Sequence, residues 1–469
     1  MALCAAAGAA DLAAQAPADT LIYNVAVTEA GAHLSVEARF IVSAGANIFL
    51  DAPPAGAGTS VTAFGATDDR GLPLRVQRTG GGYVVSRNGP GVIRFRYQLA
   101  FTDSVSSGST ASGLDATRLY AVTRSLFVAP DPVLYRKIGR PYPLVRLAFF
   151  LPPGWRLVAN WDSTGPVLAP RSGEDLLQGT LAAASDYRFY DGSAGEAAYT
   201  VAVRGSRAFT DSALVDLVTA SLRLGAATFG PVPVPRVTYI SDMGRKGRTS
   251  GSLQGTASIG LLWEPGEMLE RARSHDTFHE TLHLWFGGAM EAERWWTEGV
   301  TDYFAARLYA TWREDPRELA ALCYESLRNY ARIPHRLTMT MATEARSLPG
   351  GDNTIRLVYR KGMLAGLLLD AAIRRGSHER ASLDDVARRL LATARARRSK
   401  TIAEPEIGDA VAEAGGSTAS REWARVVTGT QEITTAQVAA ALRTVTGVDL
   451  PPPPPRSANP KTLSKPPSP

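Results

Sequence analysis

His279-Glu280-Thr281-Leu282-His283 puts two imidazoles four residues apart, with a carboxylate directly after the first. On a helix, residues four apart share a face, so the two rings can bind one zinc ion together. Glu280 lies about 100° around that helix. From there it can border the metal without binding it, as a base that takes a proton from an activated water must. The chain has only six histidines, and three fall between 275 and 283. The plain alternative is a pair of surface histidines on a helix.

Two histidines leave a zinc site one protein ligand short. Trp295-Trp296-Thr297-Glu298-Gly299 follows shortly after His283, and Glu298 opens a second amphipathic stretch. Phe286-Gly287-Gly288 provides the break between the two helices. Glu298 is therefore the expected oxygen ligand, with water in the fourth position. Asp302 lies four residues on, on the same helical face, placed to accept the second N–H of a ligating histidine. The competing reading is a surface carboxylate. His275 precedes His279 by four residues, but Glu298 already completes the sphere, so His275 reads as a flanking polar residue. Tyr359, in Val358-Tyr359-Arg360-Lys361-Gly362, opens a long apolar helix. A phenol there can donate to a developing oxyanion, although tyrosines in such places more often pack.

These residues need a frame. Residues 21–27, 33–42, 92–101 and 145–152 are β-branched or aromatic runs separated by Gly, Pro, Asp and Ser clusters. That spacing predicts an antiparallel β-sandwich over 20–205. From 212 the apolar period becomes helical and Gly230-Pro231 ends it. Strands follow at 236–241 and 256–263, on either side of a glycine-rich loop at 244–255. Helices are predicted over about 266–288, 295–312, 314–331, 355–376, 383–398 and 435–446. The fold class is thus α+β, with the mostly helical part running from 206 to 450. The segment 451–469 begins with five prolines, which favour an extended polyproline stretch, and reads as a disordered tail.

The chain has 469 residues, 45% hydrophobic and 20% charged, enough for two or three domains of ordinary globular composition. Its net charge of +6 comes with arginines spread over amphipathic helices, including Arg388, Arg389, Arg395 and Arg397. With no nucleic-acid fold around them, they read as a solvated face, and no nucleic-acid partner is expected. A binder using these arginines is the reading that DNA retention would test. Cys4 and Cys323 are the only cysteines and define no disulfide framework. No run of eighteen apolar residues predicts a transmembrane segment. Residues 1–19 are alanine-rich, and Ala14-Gln15-Ala16 suits a signal-peptidase cut, although Asp11 interrupts the apolar run. Met1-Ala-Leu-Cys4 also resembles the end of a lipoprotein box. The expectation is export to the periplasm or beyond, with a lipid anchor if Cys4 carries one.

Taken together, HETLHLW, WWTEGVTDYFA and YRKG with LLLD resemble the glycyl aminopeptidase family of gluzincin zinc metallopeptidases, relatives of the membrane alanyl aminopeptidases. The resemblance covers nearly the whole chain. It implies a thermolysin-like catalytic domain after a β-domain, one Zn2+, and hydrolysis of a peptide substrate. It matches His279, His283 and Glu298 to the metal ligands and Glu280 to the general base. Tyr359 matches the tyrosine that stabilises the tetrahedral intermediate, and Asp302 the carboxylate behind a zinc histidine. Gly251-Ser252-Leu253-Gln254-Gly255 stands where the family has its glycine-rich substrate-edge signature, so Gln254 and Gly255 are the expected substrate-binding residues. The substrate is expected to lie along 256–261.

Three departures bear on activity. Gln254 replaces the usual glutamate, which in relatives pairs with the substrate's free α-amine, so a charge pair is lost. End-specific cleavage is therefore left open, while metal-assisted hydrolysis is not. The interval between His283 and Glu298 is shorter than in many relatives. The proline-rich tail stands where many relatives carry a PDZ domain, so no peptide capture by such a module is expected. The alternative to an enzyme is a non-catalytic, zinc-containing peptide-binding protein of the same fold.

Overall fold

The computed structural model describes residues 20–452, apart from 28–32, 43–45, 55–57, 102–111, 140, 165–166, 245–248, 252–256, 265, 342–351 and 398. The leader at 1–19, Gln254, Gly255 and most of the proline-rich tail lie outside the described residues. The described chain mixes helix and sheet and divides into two compact units, 1–289 and 290–469.

In the first unit a seven-stranded sheet runs in the order Asp162–Thr164, Val167–Ala169, Leu144–Phe150, Thr20–Val27, Leu34–Val42, Gly91–Phe101, Thr59–Thr67. Leu34–Val42 is buried at every second residue, the period of a strand with one face inward. The predicted all-antiparallel pairing needs one correction. Thr20–Val27 pairs in parallel with Leu144–Phe150. More than a hundred residues separate these strands, so no hairpin imposes the antiparallel sense.

Two four-stranded sheets complete this region. Thr180–Ala184, in one of them, is buried at all five positions. Leu181 and Ala183 belong to one core, while Ala182 and Ala184 belong to another. Alternating side chains thus serve two cores, and small alanines let both layers approach. Deep in the larger core, Tyr23 donates to the Val128 carbonyl at 2.8 Å and Tyr97 to that of Leu126 at 2.9 Å. The buried phenols are therefore satisfied.

A five-stranded sheet follows, in the order Arg188–Ala194, Ala197–Val203, Arg236–Met243, Ser258–Trp263, Thr249–Gly251. The middle pairs are parallel, and Thr249–Gly251 lies antiparallel on Ser258–Trp263. A substrate strand expected along 256–261 would meet Thr249–Gly251 already on that edge. Ser258–Trp263 has a strand on each side, and Thr249–Gly251 takes its outer edge at Ile259, Gly260 and Leu261. The outer strand is Thr249–Gly251. The crossover helix Asp211–Phe229 is capped by the Thr210 hydroxyl and ends at Gly230, whose φ of 95° suits glycine. By length and composition this helix could cross a bilayer. Here Leu214, Leu217, Val218 and Leu222 bury its inner face.

In the second unit Asp352–Ser377 is the central helix. It touches the turn Trp295–Val300 and the helices Thr301–Trp312, Pro316–Ala331, Leu383–Ala396, Glu404–Val426 and Thr435–Thr446. Asp370, fully buried on it, accepts from the Tyr303 hydroxyl at 2.5 Å, Arg374 Nε at 3.1 Å and the Leu383 amide at 3.0 Å. Burial, then the charge of Asp370, pushes the Tyr303 phenol well above its ordinary range, so it remains the donor. Glu404–Val426 is a helix that the sequence reading lacks. Within it Gly416 departs from helical geometry at φ 60°, ψ −151°. Two helices meet there across a kink.

Candidate active site

The helix carrying the histidines runs from Arg271 to Leu282, shorter at both ends than the predicted 266–288. Gly266, at φ 75°, lies outside it, and His283 forms its C-cap. It is tied to its own unit by Thr281, whose hydroxyl lies 3.0 Å from Ser221 Oγ and 2.9 Å from Tyr239 Oη. Gly225 gives room for the approach, since a Cβ there would fall 2.8 Å from the Trp285 ring. The indole is fixed in turn by its N–H, which donates to the Gly230 carbonyl at 3.1 Å.

His279 and His283 are both buried, with their Nε2 atoms 2.9 Å apart. His283 Nδ1 lies 2.9 Å from the Phe286 carbonyl, an acceptor only, so Nδ1 carries the proton and Nε2 keeps its lone pair. The turn after the helix makes this contact. Gly287, at φ 113°, bends the chain so that the Phe286 carbonyl faces back toward the ring. Sequence reasoning missed this group because a carbonyl has no residue type. The only visible sign was the glycine pair directly after it.

Two ring nitrogens facing each other at hydrogen-bonding distance need a proton or a cation between them. Two nitrogens on one tetrahedral zinc lie about 3.4 Å apart by ordinary bond lengths, close to the spacing already present. One donor atom from each of His279, His283 and Glu298 lies within 4.8 Å of the other two. Two imidazoles and one carboxylate are a donor set that zinc accepts. Glu280 is half-buried on the same helix as the rings.

Glu298 sits in the π-helical turn Trp295–Val300, which runs directly into Thr301–Trp312. Such turns insert an extra residue into a helix and recur at functional positions. The Tyr359 hydroxyl donates to Glu298 Oε2 at 2.6 Å, and both side chains are half-buried. The structure therefore brings the predicted tyrosine to the predicted ligand. Asp302 is buried rather than on the surface. His275 is buried, its ring centroid 6.4 Å from that of His279.

No family model matches the chain, and no curated protein matches it. Solved structures do. An aminopeptidase N family protein from Idiomarina loihiensis superposes with a TM-score of 0.75 at 15% identity, over 89% of this chain and 78% of that one. An M1 zinc metallopeptidase from Deinococcus radiodurans gives 0.58 at 15% identity, over 88% and 94%. A mutant of the Deinococcus radiodurans M1 zinc metallopeptidase, solved with a Tyr-Ser-Ala substrate, gives 0.55 at 16% identity, over 88% and 94%. At these identities the likeness is one of fold.

Proposed function

We propose that this protein is a zinc-dependent peptidase of the aminopeptidase-like kind. His279, His283 and Glu298 would hold one Zn2+, and Glu280 would serve as the general base. The observation that carries the reading is the convergence of those three donors within 4.8 Å, with Glu280 on the same helix as the two rings. The shared fold with M1 zinc metallopeptidases supports it, as does the Tyr359 hydroxyl on Glu298.

Bound zinc supplies a Lewis acid that makes a coordinated water acidic near neutral pH. The protein's own groups do the rest. Glu280 takes the proton from the attacking water and returns it to the leaving amine. The Tyr359 hydroxyl turns from Glu298 toward the scissile oxygen and donates to it as charge develops there. Phe286 holds His283 in the tautomer that leaves Nε2 a ligand. The peptide main chain adds to the outer edge of Thr249–Gly251, the end strand of its sheet.

The test is a peptide-library digest with and without a chelator, alongside metal analysis of the wild type and Glu280→Gln. The variant is expected to keep one zinc per chain and lose about 10²- to 10⁴-fold in turnover, the range of a missing general base. Wild-type turnover in Glu280→Gln, or hydrolysis that ignores the chelator, refutes the reading. Blocking the peptide amino terminus in the same library separates end-specific from internal cleavage.

A further inference from the structure

We infer that a side-chain-free crossing between Gly299 and Gly362 is a positioning device, holding the Glu298 carboxylate against the Tyr359 hydroxyl and so setting the affinity of the metal site. The inference rests on the zinc reading above. It concerns two residues that touch neither metal nor substrate in that reading.

Gly299 directly follows Glu298 in the turn Trp295–Val300, and Gly362 lies three residues beyond Tyr359 on Asp352–Ser377. A Cβ at Gly299 would lie 2.5 Å from both the Gly362 Cα and the Val358 carbonyl oxygen. A Cβ at Gly362 would lie 2.8 Å from the Gly299 Cα and from the Trp295 carbonyl oxygen. Methyl carbons do not approach other atoms that closely, and every atom in the way is backbone. A flexible side chain could swing aside, but two packed backbones must separate as bodies.

Each backbone carries one half of the 2.6 Å bond between Tyr359 and Glu298. A separation of about half an ångström stretches that bond past the usual O–H···O range. It also moves the carboxylate relative to the point its oxygen must occupy as a ligand. Neither glycine has positive φ. The requirement for glycine at both positions is therefore one of space, not of backbone conformation.

The same helix provides a control. A Cβ at Gly376 would lie 1.9 Å from the Gly415 carbonyl oxygen, an even tighter crossing. It sits fourteen residues further along, roughly 21 Å down the helix axis. A purely structural role predicts that crowding either crossing has the same kind of effect. A positioning role predicts that only the crossing beside Glu298 affects metal.

The experiment uses the full chain stripped of zinc, with Gly299→Ala, Gly362→Ala, Gly376→Ala and Tyr359→Phe. Zinc Kd is measured by competition with a fluorescent chelator, well below each variant's melting temperature. Gly299→Ala and Gly362→Ala are expected to bind zinc about 10- to 100-fold more weakly, the range for lost support of a ligand. Gly376→Ala is expected to melt earlier and bind zinc as the wild type does. Wild-type zinc affinity in folded Gly362→Ala overturns the inference, and so does an equal loss in Gly376→Ala. Should neither variant beside Glu298 fold, Tyr359→Phe decides, since it removes the hydroxyl without crowding any backbone. Zinc affinity about five- to tenfold weaker then supports the inference, and an unchanged Kd overturns it. A wild type that binds no zinc defeats the metal reading itself, whereas unchanged variants of a zinc-binding wild type defeat only the positioning role.

Discussion

Gly225→Ala sets two known effects against each other. Gly225 lies inside the helix Asp211–Phe229, where alanine is intrinsically better than glycine by about 1 kcal/mol. Against that, the new Cβ would meet the Trp285 ring carbons at 2.8 Å and Leu282 Cδ2 at 3.3 Å. Overpacking of this kind costs about 1–3 kcal/mol unless the neighbour can yield. Trp285 has little freedom to yield. Its indole N–H donates to the Gly230 carbonyl, the Phe229 ring centroid lies 6.3 Å away, and only 1% of the residue is exposed. Overpacking should therefore win, leaving the variant less stable by about 1 kcal/mol. A second effect follows along the chain. Trp285 precedes Phe286, so displacing the indole disturbs the carbonyl that orients His283, and zinc affinity should fall as well. Denaturant unfolding of the zinc-free protein reads the first effect, and chelator competition reads the second. A variant more stable than the wild type, with unaltered zinc affinity, would show that Trp285 yields freely and that the reasoning about its confinement is wrong.

Two further substitutions test the frame. Hydrogen bonds from Arg188, aided by Tyr190, hold the Asp211 carboxyl below its ordinary range. The folded state therefore binds that proton less readily than the unfolded state. The stabilisation is present above about pH 4 and is lost as pH falls through the depressed pKa. Asp211→Asn should flatten this acid dependence, so the stability gap between wild type and variant should narrow from pH 6 to pH 3; a constant gap would count against it. Asp370→Ala strands the Tyr303 hydroxyl, Arg374 and the Leu383 amide at a fully buried position. A loss of about 3–5 kcal/mol in unfolding free energy is expected, and a loss under 1 kcal/mol would show the cluster to be dispensable.

What the sequence made legible follows from where the chemistry resides. His279, Glu280 and His283 stand out in the sequence because their types and helical spacing are what the proposed chemistry needs. Glu298 was readable because two imidazoles require a third donor and a helix break lies in the right place. The Phe286 carbonyl was not, since every residue has one and only a turn decides where it points. The order of the last two strands was hidden for a similar reason. Pairing is made by backbone groups, and nothing in Ser258–Trp263 announces that a three-residue strand covers its edge. The helix Glu404–Val426 has no counterpart in the sequence reading, and Gly416 interrupts its helical geometry while packing carries the chain through the kink. Each miss is a backbone event settled by tertiary context.

The same distinction bears on how strongly the proposed ligands would polarise a metal. A carboxylate accepting a histidine N–H draws the ring toward imidazolate and makes it a stronger donor, which lowers the charge left on the ion. A backbone carbonyl orients the ring with a weaker pull. His283 has the carbonyl of Phe286. A ring held by a carbonyl would leave more positive charge on a bound ion than a ring held by a carboxylate. Retained charge would favour an acidic bound water, whose proton Glu280, half-buried on the same helix as the rings, would receive in the proposed reaction. Replacing the Phe286 contact with a charged acceptor would be expected to tighten zinc while slowing hydrolysis. The two quantities should move in opposite directions, because the charge that holds the ion more firmly is the charge that quenches it.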